Sequence, residues 1–194
     1  MDNNAYLLHC PQTDALFLID AANEPDTLLA AIGDRLDGVL TTHCHADHWQ
    51  ALQQVVEATG ATTYAATAEA PHIPVDTMVE LADGNEISIG DSDLEVVLLT
   101  GHRAGYLDHV SQSAAAIYRD PHGPAHVFAG DCLFPGGIGN TCDDHAAFEQ
   151  LYDDVVTKLF DQLPDDTVVH PGHGQATTLG NERGQLTEWK ARGW

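Results

Sequence analysis

The chain has 194 residues, of which 43% are hydrophobic, and this apolar content excludes wholesale disorder. It is strongly acidic, with 30 Asp and Glu against 7 Lys and Arg and a formal net charge of -23. A surface of that charge repels phosphates and anionic lipids, which argues against nucleic acid and membranes as partners.

The acidity has two interpretations. The carboxylates are scattered along the chain rather than gathered in a tail, which argues against an acidic interaction surface. Only Lys158 and Lys190 are lysines. A lysine-poor, acidic surface stays hydrated in concentrated salt, where its self-repulsion is screened. We therefore expect a protein from a halophilic source.

The expected location is the cytoplasm. Residues 1–4 show no basic region followed by an apolar stretch, and no segment approaches the roughly 20 apolar residues that span a bilayer. The cysteines stand far apart without paired spacing, which predicts free thiols rather than a disulfide framework: Cys10, Cys44, Cys132 and Cys142.

The first half of the chain mixes short strands with two helices. Apolar residues alternate in the predicted strands, and in the helices they recur on one side. In chain order, these elements are strands at 5–10 and 15–20, a helix that begins near Pro25, a strand at 38–41, a helix over 47–59 that stops at Gly60, and strands at 62–65, 78–81 and 86–89.

The second half contains stronger strands and one long helix. The predicted elements are a turn over 90–93, strands at 94–99, 113–118 and 125–129, a helix over roughly 144–162, and a strand at 167–169. Strands outnumber helices and every helix is amphipathic, so we expect two sheets packed face to face with helices outside them. The final stretch, with Trp189 and Trp194, is expected to fold back on the domain.

The most informative motif is Thr-Thr-His-Cys-His-Ala-Asp-His at residues 41–48, between a predicted strand and a helix. Residues two apart in an extended segment point to the same side, so His43 and His45 face one point in space. Asp47 and His48 lie where the chain turns and can face a second point nearby. Imidazole and carboxylate together suit zinc, iron or manganese, whereas calcium prefers oxygen ligands alone. Two neighbouring metal ions are therefore favoured over a chance cluster of histidines.

The order His-x-His-x-Asp-His after a short strand resembles the metallo-β-lactamase superfamily, and later motifs extend this resemblance along almost the whole chain. A Gly-His pair after a strand matches residues 101–102, and a Gly-Asp pair followed by Cys-Leu-Phe matches 130–134, as in the glyoxalase II-like branch. A second Gly-His pair matches 172–173. Asp20 resembles the family's early structural aspartate, which braces the site without binding metal.

The resemblance implies a fold and a ligand set. The implied fold is α+β, a four-layer αββα sandwich in which the site lies at one edge of the two sheets. We expect one such domain over 1–194, without a separate C-terminal helical domain. One divalent metal ion would be bound by His43, His45 and His102, a second by Asp47, His48 and His173, with Asp131 between them. Zinc is the expected metal, with iron or manganese as alternatives.

This site predicts a dinuclear metal-dependent hydrolase. Metal coordination brings the pKa of bound water from 15.7 to about 7, so a shared hydroxide would attack an acyl carbon or a phosphorus. Asp47 and Asp131 would position it and are the predicted catalytic residues. The glyoxalase II-like branch hydrolyses thioesters such as S-lactoylglutathione, so a small-molecule thioester is the expected substrate. Residues 136–141 contain no Lys, Arg or Tyr for gripping glutathione, so a different thiol carrier is favoured.

Alternatives share the same fold. A sulfur (persulfide) dioxygenase would use one iron held by two histidines and an aspartate. A phosphodiesterase or ribonuclease would use the same dinuclear site, although the acidic surface makes RNA an awkward substrate. A non-catalytic metal-binding or flavoprotein-partner module is a different class, and a β-lactam substrate is disfavoured. His109 is a further candidate to line the site, and Arg183 and Arg192 to hold a substrate carboxylate, although solvated surface is the simpler interpretation of all three.

Overall fold

Two β-sheets pack face to face and carry helices on their outer surfaces. The computed structural model describes residues 3–102 and 111–193. The first sheet has five strands in chain order, of which β1 and β2 are antiparallel and the others parallel: β1 (Tyr6–Cys10), β2 (Ala15–Ile19), β3 (Gly38–Leu40), β4 (Thr62–Ala66) and β5 (Val79–Leu81).

The second sheet has six strands and is mostly antiparallel, and a short hairpin lies between its fourth and fifth strands along the chain. The ranges, in which β10 and β11 are the hairpin, are β6 (Glu86–Ile89), β7 (Ser92–Thr100), β8 (Gln112–Tyr118), β9 (His126–Gly130), β10 (Leu133–Phe134), β11 (Gly137–Ile138), β12 (Val168–Pro171) and β13 (Thr177–Thr178). The order across the sheet is β13-β12-β9-β8-β7-β6, and β9 and β12 are parallel. The carboxyl ends of β9 and β12 therefore lie at the same edge.

The helices complete a four-layer αββα sandwich, as predicted. They are α1 (Pro25–Ile32), α2 (Leu52–Thr59), α3 (His145–Val155), α4 (Leu179–Arg183) and α5 (Leu186–Arg192). Among the described residues no helix combines the length and apolar character needed to cross a bilayer.

Strand alternation sorts the core into three layers. Phe17 and Ile19 of β2 lie between the sheets with Val96 of β7, whereas Leu18 points to the other face and packs under α1 and α2. On the far side, Val97 of β7 belongs to the cluster that α3 and α5 cover. Each fully buried large apolar side chain contributes roughly 1.5–3 kcal/mol, so these layers supply most of the driving force for the sandwich.

The end of the chain folds back as predicted. Trp189 of α5 is fully buried in the cluster beneath α3, beside Leu179. Trp194 and His109 lie outside the described residues. Cys10, Cys44 and Cys132 are buried free thiols, and Cys142 is exposed.

Two predicted helices differ from the structure. The segment predicted as a helix over 47–59 is a single 3-10 turn at Ala46–His48 followed by α2, because Asp47 and His48 turn toward the sheet edge instead of continuing an amphipathic face. The predicted helix over 144–162 is α-helical only to Val155 and then widens into a π turn at Val156–Phe160.

The turn predicted over 90–93 is shorter than expected. Ile89 pairs with Ser92, so β7 begins two residues before the predicted start at residue 94.

Candidate metal centre

The seven predicted ligand side chains meet at one edge of the sandwich. Each sits just beyond a strand, where the chain leaves the sheet and side chains converge without leaving backbone groups unpaired. Residues 43–48 follow β3, residue 102 follows β7, residue 131 follows β9, and residue 173 follows β12. The candidate ligand atoms form two groups, and within each group all atoms lie within 4.8 Å of one another. One group is His43, His45, His102 and Asp131, and the other is Asp47, His48 and His173.

We call His43, His45 and His102 the first ligand set. Their side chains are buried and their ring nitrogens converge: His43 Nε2 lies 3.0 Å from His45 Nδ1, which lies 3.1 Å from His102 Nε2. Three imidazole nitrogens that face each other at this distance match the donor set of a transition-metal site.

We call Asp47, His48 and His173 the second ligand set. His173 Nε2 lies 3.2 Å from Asp47 Oδ2 and 3.4 Å from Asp131 Oδ2. Asp131 Oδ1 lies 3.5 Å from His48 Nε2, and Asp131 Oδ2 lies 3.7 Å from His102 Nε2. The carboxylate of Asp131 therefore stands between the two sets.

Two buried polar atoms test whether metal ions fit this cluster. Within residues 3–102 and 111–193, neither His48 Nε2 nor Asp131 Oδ1 has a hydrogen-bond partner. A buried polar atom without a hydrogen bond costs about 1–3 kcal/mol, so such atoms are rare in folded proteins unless a water, ligand or ion binds them. A cation between them would accept both lone pairs. The cluster of histidines and aspartates thus fits a dinuclear metal site.

Asp20 braces the second ligand set, as the resemblance implied. Its carboxylate accepts hydrogen bonds from Thr42 N at 2.8 Å and Thr42 Oγ1 at 2.9 Å. It also accepts from His48 Nδ1 at 2.8 Å. Because a carboxylate holds the Nδ1 proton, the Nε2 lone pair of His48 is directed into the cluster.

His102 is oriented in the same way by the backbone. Its Nδ1 lies 2.9 Å from the carbonyl oxygen of Asn140, which can only accept, so Nδ1 carries the proton and Nε2 faces the first ligand set. Gly101 makes this approach possible. It has a φ of 136°, and a Cβ there would lie 2.2 Å from the carbonyl oxygen of Ala147 in α3. Only glycine fits between His102 and that helix.

The electrostatics favour metal-binding protonation states in most of the cluster. Burial holds the pKa of His43 well below its usual range and lowers that of His45 to about 4, so both rings are neutral at pH 7. Burial alone would raise the pKa of Asp131, but the nearby rings of His173 and His48 hold it far below its usual range. Burial would lower the pKa of His48, yet the charge of Asp20 raises it to about 10. The carboxylates of Asp20 and Asp131, on either side of the His48 ring, therefore stabilise a positive charge in the space between them.

Sequence reasoning missed two sets of contacts that support the candidate ligands. Glu69 is fully buried and accepts hydrogen bonds from Cys44 N and Gln112 N, yet it stands alone between alanines and no spacing pattern marks it. Asn3 donates from Nδ2 to both the backbone oxygen (2.9 Å) and Oδ2 (3.1 Å) of Asp47. Nothing in the sequence signals that residue 3 reaches the site.

The cysteines beside the ligands point away from the cluster, as alternation predicts. Cys44 packs under the helices of the first sheet and Cys132 in the cluster beneath α3. Burial raises the pKa of each thiol to about 12. Since the thiolate is the form that binds metal, neither is a suitable ligand.

Arg183 and Arg192, the two arginines considered for holding a substrate carboxylate, both make contacts within the domain. Arg183 Nε lies 2.5 Å from Asp165 Oδ1, and Arg192 donates to the carbonyl oxygen of Gly136 at 3.2 Å.

A four-layer αββα sandwich with two histidine-aspartate ligand sets at the strand ends defines a class of metalloprotein. Residues 1–173 match the family model of the Metallo-beta-lactamase superfamily. The chain belongs to this superfamily.

Its curated relatives include hydroxyacylglutathione hydrolases. That of Jannaschia sp. (strain CCS1) is 33% identical over 193 residues, which cover 96% of this chain and 67% of the relative. That of Methylococcus capsulatus is 33% identical over 175 residues, which cover 89% of this chain and 62% of the relative. The chain thus spans about two thirds of the length of these relatives.

Solved structures show the same fold. TTHA1623 in a di-iron-bound form superposes with a TM-score of 0.70 at 30% identity, covering 93% of this chain and 92% of that one. ETHE1 from Myxococcus xanthus gives a TM-score of 0.78 at 27% identity, covering 98% and 80%. The BLEG-1 B3 metallo-beta-lactamase, at 24% identity, 94% and 91% coverage and a TM-score of 0.75, shares the fold.

Proposed function

We propose that this protein is a dinuclear metal-dependent hydrolase that cleaves thioesters of a low-molecular-weight thiol. The observation that carries the proposal is the double ligand set, complete at every position, with Asp131 between its halves. The names of the relatives, hydroxyacylglutathione hydrolases, support a thioester as the substrate class. The products would be a carboxylic acid and a free thiol, with water supplying the oxygen and the proton.

Each candidate ligand has a proposed role in binding the metal ions or in orienting the attacking water. His43, His45 and His102 would hold one metal ion, Asp47, His48 and His173 the other, and Asp131 would bridge them. Zinc, iron and manganese all suit these donors, and zinc is our first choice. When bound, the two ions lower the pKa of a coordinated water and polarise the acyl carbonyl. Asp47 and Asp131 would orient the attacking water by accepting its hydrogen bonds.

The identity of the thiol is a separate question. Residues 136–141, which follow Asp131, contain no Lys, Arg or Tyr, and both described arginines near the end of the chain already have partners. We therefore propose a carrier other than glutathione. We also propose that residues 1–194 act as one catalytic domain in the cytoplasm, without a nucleic-acid or membrane partner.

The test is hydrolysis of a panel of S-acyl thiols, including S-lactoylglutathione, by purified metal-replete protein in molar salt. We expect turnover that chelation abolishes and added zinc, iron or manganese restores. Asp131→Ala should lose at least about 100-fold in kcat/KM, because it removes the shared carboxylate. Asp34→Ala, which changes an exposed aspartate away from the site, is the matched control and should retain activity. A metal-replete wild type that hydrolyses no thioester contradicts the proposal.

A persulfide dioxygenase is the second candidate on this fold. It requires one iron held by two histidines and an aspartate, whereas in this chain both ligand sets are complete. Metal analysis separates the two functions. Two metal ions per chain support the hydrolase, and one iron per chain with oxygen consumption on a persulfide supports the dioxygenase.

A further inference from the structure

We propose that Glu69 is a positioning residue that fixes the first ligand set, and this inference rests on the proposed metal centre. Glu69 follows β4 and is 0% exposed. It is not among the predicted ligands and does not belong to either group of converging ligand atoms. Its role lies in the two backbone segments that its carboxylate joins.

The first segment carries two of the three histidines. Glu69 Oε2 accepts a hydrogen bond from the backbone N–H of Cys44 at 2.8 Å. Cys44 lies between His43 and His45, so this bond fixes the peptide that joins His43 to Cys44, one residue before His45. The backbone on which both histidines are carried is thereby held at its middle residue.

The second segment carries the third histidine. Glu69 Oε1 accepts from the backbone N–H of Gln112 at 2.7 Å. Gln112 opens β8 directly after Ser111, whose N–H donates to the carbonyl oxygen of His102 at 2.9 Å. One carboxylate therefore ties the peptide that joins His43 to Cys44 to the start of β8, next to the residue that bonds to the backbone of His102.

The chemistry requires a carboxylate at this position. Both oxygens receive N–H donors, so both must be acceptors, and an ionised carboxylate is the side chain that offers two. A glutamine of the same shape would place an NH2 group against one of the two N–H groups. Burying a carboxylate is costly unless its oxygens accept hydrogen bonds. Glu69 can therefore stay buried beside the first ligand set only while it holds both backbone segments.

Glu69 itself is held in place. Its backbone N–H donates to the carbonyl oxygen of Ala66 at 2.9 Å, and its carbonyl oxygen accepts from His72 N at 2.9 Å. The second ligand set has other supports, since Asp20 holds His48 and Asn3 holds Asp47. The effect of changing Glu69 should therefore be confined to the first ligand set.

The test measures metal affinity rather than turnover. In a His173→Ala background, which leaves the first ligand set complete, Co²⁺ is titrated into metal-free protein and followed by its visible absorption. Adding Glu69→Gln should weaken Co²⁺ binding about 10- to 100-fold, the usual loss when an outer support of a ligand is removed. In a His102→Ala background, which leaves the second ligand set complete, the same change should alter affinity by less than about threefold. Glu57→Gln, at an exposed position of α2, is the matched control and should change the affinity in neither background.

Two results would overturn the inference. Unchanged affinity in the His173→Ala background would mean that Glu69 does not position the first ligand set. Equal losses in both backgrounds would mean that it supports the fold in general. If Glu69→Gln does not fold, Glu69→Asp replaces it, because the shorter carboxylate keeps two acceptors but cannot reach both segments. If Glu69→Gln selectively lowers Co²⁺ affinity but the wild type hydrolyses no thioester, the inference about Glu69 stands and only the proposed function fails. A wild type that binds no Co²⁺ would overturn both the inference and the proposed function.

Discussion

Gly172 shows how tightly the two ligand sets are packed. A Cβ on this residue would lie 2.3 Å from Asp131 Oδ1 and 2.7 Å from His48 Cε1, so a methyl group would occupy space that the ligands need. The Gly-His pair at 172–173 is thus more than a turn. Its glycine allows the segment that carries His173 to pass beside the shared carboxylate.

We therefore expect Gly172→Ala to damage the site more than the fold. Metal content should fall, and kcat/KM should decrease by at least about 100-fold, since a misplacement of about 1 Å costs that much. The measurements are metal analysis and thioester hydrolysis. Gly184→Ala is the control, because a Cβ at Gly184 meets nothing within 4 Å and its backbone is helical. A Gly172→Ala protein with full metal content and activity would show that the segment around residue 172 can shift to accommodate a methyl group without displacing the ligands.

The convergence of the seven candidate ligands could be predicted from the sequence because each is a chemically distinctive residue in a fixed setting. The residue types and the spacing of His43, His45 and Asp47 are recognisable in the sequence itself. Their supports are not recognisable, because a backbone N–H looks the same at every residue. The contacts of Glu69 with Cys44 and Gln112 depend on how β4, β3 and β8 come together, which only the folded chain defines.

The wide turn at Val156–Phe160 brings a lysine to the strand that leads into the site. Lys158 Nζ donates to the carbonyl oxygen of Leu98 at 2.6 Å and lies 3.4 Å from Asp154 Oδ1. Asp154 Oδ2 in turn accepts from the backbone N–H of Thr100 at 2.9 Å. The end of β7, two residues before His102, is therefore held by an ion pair from the helical layer.

Lys158→Met should destabilise the protein by about 1–3 kcal/mol, because it keeps the apolar stem but leaves the carbonyl of Leu98 without this donor and the carboxylate of Asp154 without its cation. The free energy of unfolding in urea measures this loss. Lys190→Met removes the same charge from an exposed lysine whose nearest carboxylates lie at 3.8 and 3.9 Å, and should cost less than about 1 kcal/mol. Equal effects of the two substitutions would show that only net charge matters.

Strands and long helices could be predicted to within a few residues because buried apolar side chains repeat with the period of each element. The elements without such a repeat were missed. The hairpin of β10 and β11, the strand β13 and the helices α4 and α5 are short, and tertiary contacts rather than local pattern define them. The turn at Ala46–His48 differs because its side chains serve the site and not an amphipathic face.

A net charge of -23 on a chain of this size must be accommodated by its surroundings. The ion pairs described above neutralise few of the 30 acidic residues, and most carboxylates lie on the surface. At 0.1 M salt the Debye length is about 10 Å, so neighbouring carboxylates repel one another, whereas at 1 M it is about 3 Å.

We expect the midpoint of thermal unfolding to rise between 0.1 M and 2 M KCl, with loss of structure at the lowest salt concentrations. Circular dichroism at fixed protein concentration measures this change. Sucrose is the control, because it favours burial without screening charge and should restore less of the stability. If KCl and sucrose stabilise equally, or KCl does not stabilise at all, the high-salt interpretation fails.

Asn3, whose side chain donates to Asp47, also forms an isolated antiparallel backbone bridge with His173, so residues that are far apart along the chain meet at the second ligand set. A chain that emerges from the ribosome displays the histidines of residues 43–48 long before His173 exists. The early histidines cannot form either ligand set alone, because His102, Asp131 and His173 arrive in succession. The proposed metal centre therefore cannot be complete until residue 173 has been made and has reached the segment around Asn3.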